Sequence, residues 1–150
     1  MEPEHVNRFC AALIFTWVLC GAAYSQSIEG YLCIADKATG FKLIESTKTW
    51  DFARFNVTDN KFLLSKSATE WRWKKFGDEN GMRCDDFNEY GYMFCEGFFG
   101  AGLLGPFKIA FNRKNLRYIR TYRGDYINAG IAGLEGEDAP FIEIGRCSKM

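Results

Sequence analysis

The sequence has little proline, almost no histidine and no helical periodicity. Only 3 of the 150 residues are proline, and His5 is the only histidine. Apolar residues do not recur at 3.6-residue spacing over three turns anywhere, which argues against a helical fold. A chain that has lost His5 with its leader cannot run Ser-His-Asp or Cys-His catalysis. We therefore expect a protein that is not an enzyme, with chemistry based on paired carboxylates as the remaining catalytic alternative.

The first 25 residues have the pattern of a secretory signal peptide. Arg8 precedes an apolar run over residues 11–23, and Ala23 and Ser25 occupy the small-residue positions of a cleavage site. The run is too short to span a bilayer as a helix, since spanning takes about 20 residues. The pattern predicts a cleaved leader, 1–25, and a single β domain, 26–150. That domain is expected to be exported, to the periplasm or outside the cell, and not inserted in the membrane.

The charges balance, which argues against nucleic acid as a partner class. The chain carries 19 Lys plus Arg and 19 Asp plus Glu, and loss of Arg8, Glu2 and Glu4 with the leader leaves a net charge of +1. Phosphate binding requires a surplus of cations. Acids nevertheless concentrate in residues 78–96 and cations in 108–123. We expect these neighbouring segments to neutralise each other in the folded chain.

The four cysteines outside the leader predict two disulfides in an oxidising compartment. Cys33 and Cys147 lie near the two ends of the domain, and their pairing would tie the terminal segments together. A tight turn over residues 88–91 would place Cys84 opposite Cys95, with a bulge as the expected adjustment of register. The absence of histidine and of a Cys-x-x-Cys pair argues against a metal site, and we expect no cofactor.

Short aromatic and β-branched runs separated by turn residues predict an all-β fold. We expect a small antiparallel β-barrel or strongly curved sheet of about eight strands, stapled by the two disulfides. Turns are expected at residues 36–40, at Asn80-Gly81 and at residues 112–115, and glycine-rich loops at 97–106 and 124–140. Phe111 is expected to face Leu116. The side chains expected to share the buried face around the 112–115 turn are Phe107, Ile109, Phe111, Leu116 and Tyr118.

Two binding hypotheses follow from the side chains that remain. Asp85, Asp86 and Glu89 cluster at a predicted hairpin tip, followed by Glu96, and these acids could dock on a basic protein partner. Alternatively, the abundant aromatic residues, Trp71 and Trp73 among them, could line a barrel that holds a small apolar ligand, as lipocalins do. Burial of both tryptophans in a filled core is the plainer expectation.

Several segments resemble small exported bacterial proteins of unassigned function. These are Gly30-Tyr31-Leu32-Cys33, Phe62-Leu63-Leu64, residues 111–118 and residues 142–148. The Tyr31-Leu32-Cys33 triplet is also similar to the start of the periplasmic inhibitors of c-type lysozyme, which are small antiparallel β-barrels. That resemblance implies an inhibitor of a lysozyme-like hydrolase. The serine-glycine loop that those inhibitors insert into the enzyme has no counterpart here, so no functional residue is carried over.

Overall fold

A computed structural model describes residues 29–97, 107–124, 126 and 139–150. The expected leader and most of the two glycine-rich loops lie outside the described residues. The described chain forms nine β-strands: β1 Gly30–Ile44, β2 Thr49–Phe55, β3 Lys61–Ser67, β4 Glu70–Lys75, β5 Met82–Cys84, β6 Tyr92–Gly97, β7 Phe107–Asn112, β8 Arg117–Tyr122 and β9 Phe141–Lys149.

The strands form a closed antiparallel barrel. Neighbours follow the order β1, β3, β4, β5, β6, β7, β8, β9, and β9 pairs again with β1. β2 is a ninth strand outside this ring and pairs with the second half of β1, from Ala38 to Ile44. The prediction of an all-β barrel of about eight strands is confirmed.

Both predicted disulfides are present. Cys33 and Cys147 join β1 to β9, and Cys84 and Cys95 join β5 to β6, each at a directly opposed position in the register. The N–H of Asp85 donates to the carbonyl of Phe94 at 2.9 Å, so Cys84 and Cys95 fall at the adjacent, non-hydrogen-bonded position, where opposed residues approach more closely. The two bonds indicate folding in an oxidising compartment.

The expected turn at residues 36–40 is wrong, because β1 runs through it. A bulge between Ala35 and Lys37 absorbs one residue, and pairing with β9 then continues to Gly40. Gly40 is needed for close approach, not for a turn. A Cβ at this position would lie 2.0 Å from the carbonyl oxygen of Pro140.

Two hairpins also differ from expectation. Residues 113–116 form a longer loop in which Leu116 takes φ +59°, so Phe111 pairs with Tyr118 and not with Leu116. The shift of two residues keeps every side chain on its expected face. Between β4 and β5 the chain reverses at residues 75–78, where the Asp78 N–H donates to the Lys75 carbonyl at 3.0 Å, and Gly77 has φ +93°. Asn80-Gly81 follows that turn and does not form it.

The barrel interior is filled by side chains. Ile109, Phe111 and Tyr118 are buried, and Phe107 and Leu116 are half-buried against the same core. Trp71 and Trp73 are buried as expected. The largest side chains that are fully buried are Trp73, Phe62, Phe111, Leu64, Met93 and Ile109. Eight strands enclose just enough space for such side chains to fill.

Candidate functional site

The connection between β5 and β6 presents three carboxylates to solvent, and we call Asp85, Asp86 and Glu89 the acidic tip. Asn88 shapes this loop. Its side-chain oxygen accepts hydrogen bonds from the N–H groups of Tyr90 at 3.1 Å and Tyr92 at 2.9 Å.

Phe87 anchors the acidic tip to the core. Its ring lies 5.2 Å from the ring of Trp71, 5.9 Å from that of Phe111 and 6.2 Å from that of Tyr31. Arg113 covers the same ring at 4.7 Å. Because Phe87 points inward, the acids on either side of it are held outward on a fixed loop.

Glu96 lies on the strand beside the acidic tip. It is two residues beyond Phe94, which lies opposite Asp85, so it is about 7 Å along β6 from that position. Its carboxylate pairs with Lys108 of β7 at 3.4 Å. Glu96 therefore lies next to the acidic tip and differs from its three acids in having an ion-pair partner among the described residues.

The expected neutralisation of residues 78–96 by residues 108–123 takes the form of one ion pair and of two cations, Arg113 and Lys114, that lie against the 87–91 loop. Glu96 and Lys108 form the only ion pair between these segments among the described residues. Arg120, one of the cations of that second segment, points into the barrel. Within the same described ranges, Asp85, Asp86 and Glu89 have no ion-pair partner.

Sequence reasoning missed a buried polar cluster around Glu143. This residue is fully buried, and Arg120 donates to its carboxylate at 2.9 Å. Tyr118 donates its hydroxyl to the other carboxylate oxygen at 3.0 Å, and Asn60 donates its amide at 2.6 Å. The rings of Phe62 and Phe141 lie 4.6 and 5.0 Å from the Arg120 guanidinium.

The Glu143 carboxylate is fully hydrogen-bonded, whereas the buried Nε–H of Arg120 has no hydrogen-bond partner among the described residues. Burial raises the pKa of the Tyr118 hydroxyl, and the negative charge of Glu143 raises it further. Burial also lowers the pKa of Arg120, against the opposing effect of Glu143. A carboxylate held by three donors inside a packed barrel suits a structural role and offers no proton to an external substrate.

The outer face of β6–β9 carries a row of apolar side chains. Cross-strand pairing aligns Phe94, Ala110, Ile119 and Ile144 in a single line over four strands. The three large members are 40–52% exposed. The row arises because Arg120 and Glu143 point inward, which turns the neighbouring isoleucines outward. The sequence contained one signal for this arrangement. Cys147 points inward to form its disulfide, and Glu143, four residues earlier on the same strand, must share that face.

Two open grooves run along this face and meet. One, of about 530 Å³, lies over β7–β9, and the other, of about 640 Å³, lies between β9 and β2. Asp36 and Ile144 line both, and we call the combined depression the outer trough. Its exposed cationic side chains are Lys37, Arg54, Arg117 and Arg146, while Asp36 is its only acid.

Comparison of the chain with protein-family models, with curated proteins and with solved structures found no match. Among the described residues there is no group of three or more potential metal ligands. Over residues 29–97, 107–124, 126 and 139–150, no helix has the length and hydropathy needed to cross a bilayer.

Proposed function

We propose that this is an exported, non-catalytic binding protein that docks on a basic protein partner through its acidic tip. One observation carries the proposal. Three exposed carboxylates sit on a loop fixed by Phe87 and Asn88, and no cation of the described chain pairs with them. Fixed charges that are not held in ion pairs speed association with an oppositely charged surface and cost little ordering on binding.

Export is supported by two independent features. The expected leader over residues 1–25 has the signal-peptide pattern, and two disulfides are typical of proteins in an oxidising compartment. A periplasmic or secreted location agrees with both.

A lysozyme-like hydrolase is the first partner class to test. A lysozyme-type enzyme would present a basic surface to the acidic tip, and the Tyr31-Leu32-Cys33 triplet resembles the start of the lysozyme inhibitors. The filled interior supports docking over storage of an apolar ligand, because Trp73, Phe62 and Phe111 occupy the space that such a ligand would need.

A carboxylate-based enzyme finds little support. The Glu143 carboxylate is paired with Arg120 inside the barrel, and the acids of the tip lie on an exposed loop that no described residue shields from water.

The test is inhibition and binding of a panel of lysozymes by the purified protein and by the Asp86→Lys/Glu89→Lys variant. We expect the variant to bind at least about tenfold more weakly than the wild type, with the loss mainly in the association rate and reduced at high salt. The matched control is Asp78→Lys/Glu79→Lys, which makes the same charge change in the adjacent β4–β5 turn and should retain binding.

Thermal melts of both variants distinguish lost binding from lost folding. Equal binding by the wild type and the Asp86→Lys/Glu89→Lys variant would refute the role of the acidic tip. No inhibition of any lysozyme at micromolar concentration would remove that partner class.

A further inference from the structure

We propose that the outer trough is a second binding site, which takes an extended acidic segment of a partner protein with apolar side chains between its carboxylates. This site lies on the wall of the barrel and does not depend on the function of the acidic tip. The floor, the charge and the length of the trough support it separately.

The floor of the trough is apolar. Ile119, Ile142 and Ile144 of β8 and β9 are 40–49% exposed, and Phe52 of β2 is 61% exposed. Apolar side chains that form a continuous exposed surface mark binding sites more often than scattered ones do. Phe52 lies directly opposite Phe41 on the ribbon formed by β1 and β2, so the apolar surface continues beyond the barrel.

The walls of the trough are cationic. Arg146 holds Asp36 in a two-pronged ion pair, with nitrogen–oxygen distances of 3.0 Å. This pair neutralises the one acid of the trough. Lys37, Arg54 and Arg117 have no carboxylate partner among the described residues. The trough therefore carries three uncompensated positive charges around an apolar floor.

The charges of Arg117 and Lys37 reach the centre of the trough. The hydrogen bond from Arg146 lowers the pKa of Asp36 most, and the positive charges of Arg146, Arg117 and Lys37 lower it further. A carboxylate of a ligand that lay near Asp36 would feel the same cations.

The length of the trough suits an extended peptide. It crosses β7, β8, β9, β1 and β2, which at about 4.8 Å between strands spans about 20 Å, or six residues of extended chain. A second copy of this chain is a poorer occupant, because two cationic troughs placed face to face would repel.

The experiment measures binding of a labelled six-residue peptide that alternates glutamate with leucine. The comparison peptide has lysine in place of glutamate. We expect the acidic peptide to bind the wild-type protein at least about tenfold more tightly than the lysine peptide, and its affinity to fall as salt rises. This comparison needs no protein variant, so it is independent of folding.

Protein variants then locate the site. Arg54→Glu/Arg117→Glu should weaken binding of the acidic peptide at least about tenfold. Lys61→Glu/Lys75→Glu reverses the same number of exposed charges outside the trough and should leave most of the affinity intact. Ile119→Ser/Ile144→Ser should weaken binding without changing the charge.

Four results would overturn the proposal. They are equal binding of both peptides, unchanged binding by the Arg54→Glu/Arg117→Glu variant, binding of anionic phospholipid vesicles with no peptide binding, and a dimer in sedimentation that Ile119→Ser/Ile144→Ser dissociates. The acidic-tip variant Asp86→Lys/Glu89→Lys should bind the peptide as the wild type does, so failure of this proposal is distinguishable from failure of the proposed function.

Discussion

The two halves of the barrel wall have very different outer surfaces. On β3–β5 the outward positions are mostly polar, and Glu70 pairs with both Arg72 and Arg83. On β6–β9 the outward positions include an apolar row across four strands, formed by Phe94, Ala110, Ile119 and Ile144. A closed antiparallel barrel needs apolar residues only on its inner face, so the fold does not require the second arrangement. This contrast is the basis of our proposal that the β6–β9 half carries a binding surface.

The disulfides lie at the two edges of the β6–β9 half, at its seams with β5 and with β1. Cys84–Cys95 joins β5 to β6, and Cys33–Cys147 joins β9 to β1. The β5–β6 seam has a single pair of opposed residues in its register, whereas the β1–β9 seam has nine. The two covalent bonds therefore reinforce seams of very different strength.

The largest expected effect is loss of the bond between Cys33 and Cys147. Its loop has a sequence separation of 114 residues, against 11 for Cys84 and Cys95. In the chain-entropy model, the variant Cys33→Ala/Cys147→Ala should lose about 4–5 kcal/mol of unfolding free energy, and Cys84→Ala/Cys95→Ala about 3 kcal/mol. Urea unfolding measures both. Equal losses would contradict the entropic account and point to the weak β5–β6 seam.

The next effect contrasts the inner and outer faces of the β6–β9 half. Phe111 is fully buried, and Phe111→Ala should cost about 3–5 kcal/mol of unfolding free energy. Phe94 is half-exposed on the outer row, and Phe94→Ala should change stability by less than about 1 kcal/mol. Chemical denaturation of both variants checks this. A large loss from Phe94→Ala would mean that the outer row stabilises the fold, which would weaken its assignment as a binding surface.

The smallest effect concerns the inward-facing Tyr118 of β8. Its pKa is raised in the folded chain, so its hydroxyl stays protonated at pH values where an unfolded tyrosine ionises, above about pH 10. The stabilisation from Tyr118 is thus fully present below about pH 10 and is lost as the pH rises further. We expect unfolding free energy to fall as the pH rises above about 10, and to fall less steeply in Tyr118→Phe. Identical slopes, measured by urea unfolding across this range, would contradict the assigned environment of this hydroxyl.

The sequence predicted the parts of the fold that follow from local chemistry. Turn arithmetic at residues 88–91 paired Cys84 with Cys95, and strand alternation placed Ile109, Phe111 and Tyr118 inside. The prediction failed at the β7–β8 hairpin, where one backbone conformation lengthened the turn. Leu116 adopts a positive φ, and the pairing of β7 with β8 is shifted by two residues from the predicted register.

Longer-range features were beyond sequence patterns for a different reason. The bulge near Asp36 depends on pairing with β9, more than a hundred residues away. The Glu143 cluster depends on donors from three separate segments, namely Asn60, Tyr118 and Arg120. Hydrophobic alternation alone would place Ile142 and Ile144 inside the barrel. The buried ion pair between Arg120 and Glu143 instead turns the other face of β9 inward. The outer trough is a consequence of this reversal, so the sequence could place the acidic tip but not the trough.

Site-specific photo-crosslinking tests the central claim most directly, since it captures a partner of any identity. A photoreactive side chain would replace Glu89 or Phe94 on the proposed binding half, and Lys61 or Arg83 on the polar half, each exposed in the free protein. After exposure to an envelope extract, we predict a discrete crosslinked protein from Glu89 and Phe94 and none from Lys61 and Arg83. Equal crosslinking from both halves, or crosslinking from the polar half alone, would contradict the assignment of the β6–β9 half and its acidic tip as the binding surface.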